Sequence, residues 1–151
     1  MRTFKEVLDD HDRIDAEMTA FEETVVGKAL DGAAAQALTV LARRLRQHAR
    51  LEEELVFPAA EQEARDPGFP PTRKLRAEHQ TLLTLLGELE ANLEAGTWGA
   101  AVSNLRELRA TWRLHERKER QVIYPLAERA LETSLGLGML AAIEAEPDRD
   151  R

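Results

Sequence analysis

Apolar residues recur along this chain in steps of three and four, the period of an α-helix that buries one face. The first stripe reads Phe4, Val7, His11, Ile14, Met18, Phe21, Val25. A second reads Leu38, Leu41, Leu45, His48, Glu52, Leu55, Ala59. A third reads Leu75, His79, Leu82, Leu86, Leu89, Leu93. The fourth reads Leu105, Leu108, Trp112, His115, Glu119, Val122, Leu126. They predict helices over residues 4–26, 33–64, 72–94 and 98–131, and no stretch carries the period of two that a strand requires. Thr3 and Glu6 have the spacing of a capping box at the first helix start, and Gly27 is a plausible stop. Asp66-Pro67-Gly68-Phe69-Pro70-Pro71 reads as a loop, and Ala95-Gly96 closes the third helix. Four long helices with short links predict an all-α fold, an up-down-up-down antiparallel four-helix bundle over residues 1–131. Residues 132–151 form a tail carrying Leu135, Leu137, Met139, Leu140 and Ile143, either a short fifth helix or a partner-binding segment.

Six polar residues interrupt the apolar stripes: His11, His48, Glu52, His79, His115 and Glu119. All 4 histidines of the protein are among them, one per helix. Each glutamate follows a histidine by four residues, so each pair shares a face. Burying a carboxylate costs several kcal/mol unless it is paired or bound to a metal. His11 and His79 stand equally deep from their helix starts, and Glu52 and Glu119 equally far from their helix ends. With antiparallel neighbours and ~1.5 Å rise per residue, the six fall in one layer.

An internal pseudo-repeat supports that placement. His48, Glu52, Phe57 and Pro58 correspond to His115, Glu119, Tyr124 and Pro125 at a constant offset of 67 residues, and His79 follows His11 by 68. Two similar halves predict a two-fold pseudo-symmetric site with two metals. Pro58 and Pro125 fall inside predicted helices, where each removes an amide and frees a carbonyl one turn back, so kinks are expected just beyond the glutamates.

Composition narrows the chemistry. The chain has 151 residues, no Cys, 21 basic and 28 acidic residues and a net charge of −7. Without cysteine there is no disulfide, thiolate zinc site, iron–sulfur cluster or cysteine nucleophile. The acidic balance argues against nucleic acid, whose phosphates need clustered Lys and Arg. Arg43-Arg44-x-Arg46 and Arg117-Lys118-x-Arg120 read as solvated faces with acidic neighbours. No apolar run approaches the ~20 residues that cross a bilayer, and the first residues lack an apolar signal core. A soluble, cytoplasmic protein is expected, with no membrane partner.

The donor set suits iron, manganese or zinc. A ferritin-like site needs Glu-x-x-His, but Leu8, Leu45, Arg76 and Trp112 stand three residues before the histidines. A zincin needs His-Glu-x-x-His, and His115-Glu116-Arg117-Lys118-Glu119 lacks the second histidine.

The ordered set His11, His48-x3-Glu52, His79 and His115-x3-Glu119, with an aromatic-Pro pair after each glutamate, closely resembles the hemerythrin HHE cation-binding domain over residues 4–131. The resemblance implies a four-helix bundle holding a non-haem centre of two iron ions, with an oxo or hydroxo bridge. On it, Glu52 and Glu119 are the bridging carboxylates and His11, His48, His79 and His115 terminal ligands. One departure counts against reversible oxygen carriage. Oxygen-carrying hemerythrins have a fifth histidine four residues from another on the third helix, whereas Leu75 and Leu83 flank His79 here. Glu53, Glu78, Glu116 and Tyr124 lie beside the stripes as candidates to fill the gap. Hydrogen bonding to the ligands is the favoured role for them, and plain solvation for Glu116.

Ile14, Leu45, Leu82 and Trp112, one turn from the six, would form an apolar ligand pocket admitting O2, H2O2 or NO and excluding bulky organic substrates. The expected function is binding of, or reaction with, such small oxidants, including catalase-like peroxide removal. The alternative is an oxygen, NO or iron sensing or storage module without turnover. A metal-free structural bundle is disfavoured by the two buried carboxylates. The expected assembly is a monomer or weak homodimer.

Overall fold

A computed structural model of the protein describes residues 4–26 and 32–132, with side chains from residue 8 onward except those of residues 26 and 33. Thr3, Gly27 and the 132–151 tail, apart from Glu132, lie outside the described residues, as do the side chains of Phe4, Glu6 and Val7. The helices are α1 (Phe4–Val26), α2 (Gly32–Leu51), α3 (Phe57–Ala64), α4 (Pro70–Glu94), α5 (Trp98–Lys118) and α6 (Tyr124–Leu131). A π-helical turn, Glu52–Val56, joins α2 to α3, and another, Glu119–Ile123, joins α5 to α6. The described residues therefore make four rods: α1, α2–α3, α4 and α5–α6. No strand occurs among the described residues. The helix α1 packs on α2 and α5, α4 packs on α5 and α2, and α3 packs against α6. These neighbours make the all-α four-helix bundle.

Local chemistry explains the ends. Arg65 closes α3 in the left-handed region at φ 55°, and its amide reaches the carbonyls of Gln62 and Glu61. Pro70 and Pro71 belong to the first turn of α4, not to the preceding loop. Proline suits that turn because its missing amide has no helical acceptor there. Thr72 Oγ1 donates to the Phe69 carbonyl at 2.9 Å and to Glu61 Oε1 at 2.6 Å, tying α4 to α3. Glu61 also pairs with Arg76, whose guanidinium lies 5.4 Å from the Phe57 ring centre. At the end of α4, Gly96 takes φ 72°, a conformation glycine adopts without strain.

Among the described residues, two apolar clusters occupy the interior. The larger contains Ile14, Met18, Phe21, Leu41, Leu86 and Trp112 with their neighbours. The smaller contains Val56, Phe57, Leu75, Ile123, Tyr124 and Leu131. Along every rod the six polar residues fall between the two.

The π-turns change the helical phase at this point. The Phe57 amide bonds to the Glu52 carbonyl and the Tyr124 amide to the Glu119 carbonyl, five residues back rather than four. One extra residue per turn rotates everything beyond it by about 100°. The inward positions thus become Val56 and Phe57, and Ile123 and Tyr124. Leu55 and Leu126, expected inside, are half-buried, and Val122 is 40 % exposed. The prolines account for the irregularity: Pro58 and Pro125 enter the first turns of α3 and α6, where no amide is needed. The departure from α-geometry thus begins at the glutamates themselves.

Candidate metal centre

Each rod carries its share of the site on its inward stripe. His11 comes from α1, His48 and Glu52 from the second rod, His79 from α4, and His115 and Glu119 from the fourth. All six are buried. Their donor atoms form two overlapping groups: His11, His48, Glu52 and Glu119, and Glu52, His79, His115 and Glu119. Within each group the atoms lie within 4.8 Å of one another, and both glutamates belong to both. The structure thus brings all six predicted residues together.

The carboxylates are divided between the two groups. Glu52 Oε1 lies 2.8 Å from His48 Nε2 and 3.4 Å from His11 Nε2. Its Oε2 lies 3.0 Å from His79 Nε2 and 3.9 Å from His115 Nε2. Glu119 turns Oε2 to His11 at 3.0 Å and Oε1 to His115 at 2.6 Å. Each carboxylate offers one oxygen to each histidine pair.

These short approaches do not satisfy the polar groups. Neither oxygen of Glu119 accepts a hydrogen bond, and His115 Nε2 and both ring nitrogens of His48 lack hydrogen-bond geometry with any partner. Buried polar atoms left in this way are costly, and a cation among them removes the cost. The donor set passes that test, and the buried His/Glu groups fit a metal centre.

The two halves differ in what stands behind the imidazoles. His79 Nδ1 meets Glu53 Oε1 at 2.8 Å, and His115 Nδ1 meets Glu78 Oε2 at 3.1 Å. Glu78 also pairs with Lys118. An Nδ1–H donated outward leaves the Nε2 lone pair facing the site and makes it more basic. His11 and His48 have no hydrogen bond at Nδ1. Instead, the hydroxyl of Tyr124 reaches this half, 2.9 Å from His11 Nε2 and donating to Glu52 Oε1. Phe57, its counterpart in the repeat, stacks on His79 with ring centres 5.3 Å apart. Glu116 bonds Arg120 on the outside.

The charges compensate one another without a metal. Burial by itself lowers the basicity of His11, but Glu119 and Glu52 raise its pKa to about 9. His115, opposed by burial and supported by the same two carboxylates, rises to about 10. Burial disfavours the Glu52 carboxylate, yet the surrounding imidazoles hold its pKa well below the usual range. Burial and the charges of Glu52 and Glu119 push the Tyr124 phenol well above 10.

The predicted pocket residues Ile14, Leu45, Leu82 and Trp112 are all buried and belong to the larger apolar cluster. Trp112 borders the site: its ring centre lies 5.4 Å from that of His11, 5.6 Å from His48 and 6.2 Å from His115. Its indole Nε1 has no hydrogen-bond partner. Sequence periodicity missed the burial of Tyr124, because it assumes an unbroken α-helix past Glu119. The aromatic-Pro pair was the available signal.

Among the described residues, no helix is long and apolar enough to cross a membrane. The family model described as the hemerythrin HHE cation-binding domain matches residues 2–127 and, separately, 70–149. Among curated proteins and among solved structures, nothing matches the chain.

Proposed function

The chain belongs to the hemerythrin HHE cation-binding domain family, and from that premise we propose that it is a cytoplasmic non-haem di-iron protein that binds or reacts with O2, H2O2 or NO. The observation that carries this reading is the division of Glu52 and Glu119, each with one oxygen toward either histidine pair. Two carboxylates so divided would be shared between two ions, with His11 and His48 holding one and His79 and His115 the other. When bound, the iron pair supplies one-electron exchange at each ion and an open position for a small ligand.

The chain's own residues determine what reaches that position. Ile14, Leu45, Leu82 and Trp112 offer an apolar approach that suits a small neutral molecule better than an ionic or bulky one. The Trp112 indole, an unpartnered N–H donor, is available to a bound oxygen or nitrogen species. Glu53 and Glu78 hold the rings of His79 and His115. No further acid or base of the stripes stands ready for proton transfer to a large substrate.

Reconstitution with ferrous iron followed by addition of peroxide tests the proposal. It predicts about two irons per chain and oxygen evolution that Glu119→Ala abolishes. Iron below about half an equivalent per chain rejects the di-iron reading. Two irons without peroxide turnover select the sensing or storage alternative.

A further inference from the structure

Tyr124 is the single tyrosine of the chain, and the π-turn brings it inside. Its hydroxyl lies 2.9 Å from His11 Nε2 and against Glu52 Oε1. Both residues belong to the His11/His48 group, and Glu52 Oε1 is the oxygen nearer His48 and His11. Around an ion with bonds of about 2.1 Å at right angles, neighbouring donors stand about 3 Å apart. The other donors of this group show that spacing: 3.0 Å from His11 to Glu119 and 2.8 Å from His48 to Glu52. The phenol oxygen shows that spacing to His11 Nε2 and lies directly against Glu52 Oε1. In the other half this place falls to Phe57, which has no donor.

We propose that Tyr124 is a fifth protein ligand of the His11/His48 metal position, bound as phenolate, so that the two positions of the pair differ in donor set. This rests on the di-metal reading above. On metal entry the phenol O–H bond breaks and an O–metal bond forms. The proton goes to solvent, and no electron is transferred. The cation's own charge favours the phenolate form of a bound phenol.

The test uses the full chain loaded with ferrous iron and oxidised in air, with metal content measured on the same samples. A phenolate bound to ferric iron gives a broad visible charge-transfer band and resonance-enhanced ring vibrations. Both are expected in the wild type and lost, at least tenfold, in Tyr124→Phe. Loading should also release one proton fewer per chain in that variant. With a single tyrosine, the wild-type spectrum decides the matter even if the variant fails to fold. Two ferric ions with no phenolate signature overturn the ligand proposal and leave the di-iron reading intact, Tyr124 then only donating to Glu52. Failure to take up iron overturns both.

Discussion

Glu78 Oε2 lies 3.1 Å from Nδ1 of His115, fixing the imidazole with Nε2 toward the carboxylates. Such an outer carboxylate raises ligand basicity, and its loss typically costs 10–100-fold in metal affinity. Glu78→Gln and Glu53→Gln should each weaken binding by about that factor. Competition against a coloured chelator measures it. Glu116→Gln, on the outer Arg120 pair, is the control and should change affinity less than about twofold. Equal effects from all three would refute a positioning role.

In the metal-free protein, His11 and His115 have folded pKa values of about 9 and about 10, above the ordinary 6.5. Their contribution to stability is complete below pH 6.5 and is lost as pH rises through 9 to 10. Glu52, depressed below its ordinary 4.5, contributes above that pH and loses its effect as pH falls through the depressed value. Thermal melts of metal-free protein should fall steadily from pH 7 to 10. A rise over that range would contradict the charge arrangement.

Metal affinity should move the other way. Protons on His11 and His115 compete with the ions, so binding strengthens from pH 6 toward pH 9. Loading at pH 7 in weak buffer should acidify the solution. Affinity independent of pH would show that these imidazoles carry no proton to displace.

Chelation should lower the melting temperature. A metal free at 100 times its dissociation constant stabilises by about 2.7 kcal/mol. For a domain of this length each kcal/mol shifts Tm by about 2–4 °C, which gives about 5–10 °C in all. Calorimetry with and without chelator measures the difference, and coincident melts would mean the site contributes nothing to folding.

Trp112 separates packing from ligand contact. Trp112→Ala empties a fully buried site and should cost about 3–5 kcal/mol in urea unfolding. Trp112→Phe removes an N–H that has no partner and should cost under about 1.5 kcal/mol. If the indole donates to a bound ligand, the Phe variant binds NO more weakly at unchanged metal content.

The stripes made the bundle and the six buried donors legible, because His and Glu at three- and four-residue steps can face only one way on a regular helix. They could not show which imidazole Glu53 or Glu78 reaches, since those partners stand 26 and 37 residues away on other rods. Periodicity also placed Leu55, Val122 and Leu126 too far inward, because the phase changes within Glu52–Val56 and Glu119–Ile123. Pro58 and Pro125 pointed to an irregularity in each rod, but it begins at Glu52 and Glu119 rather than just beyond them. Whether proline would be met by a kink or by a wider turn depends on the packing of Phe57 and Tyr124, which the local pattern does not contain.

Those wider turns make residue number as important as residue type in this part of the chain. Shortening 119–124 by one residue would restore an unbroken α-helix and swing all of α6 by about 100°. Ile123 and Tyr124 would leave the interior together, and no side-chain substitution elsewhere on the rod would return them. Along these two short segments, single-residue insertions and deletions should be far more damaging than most point changes.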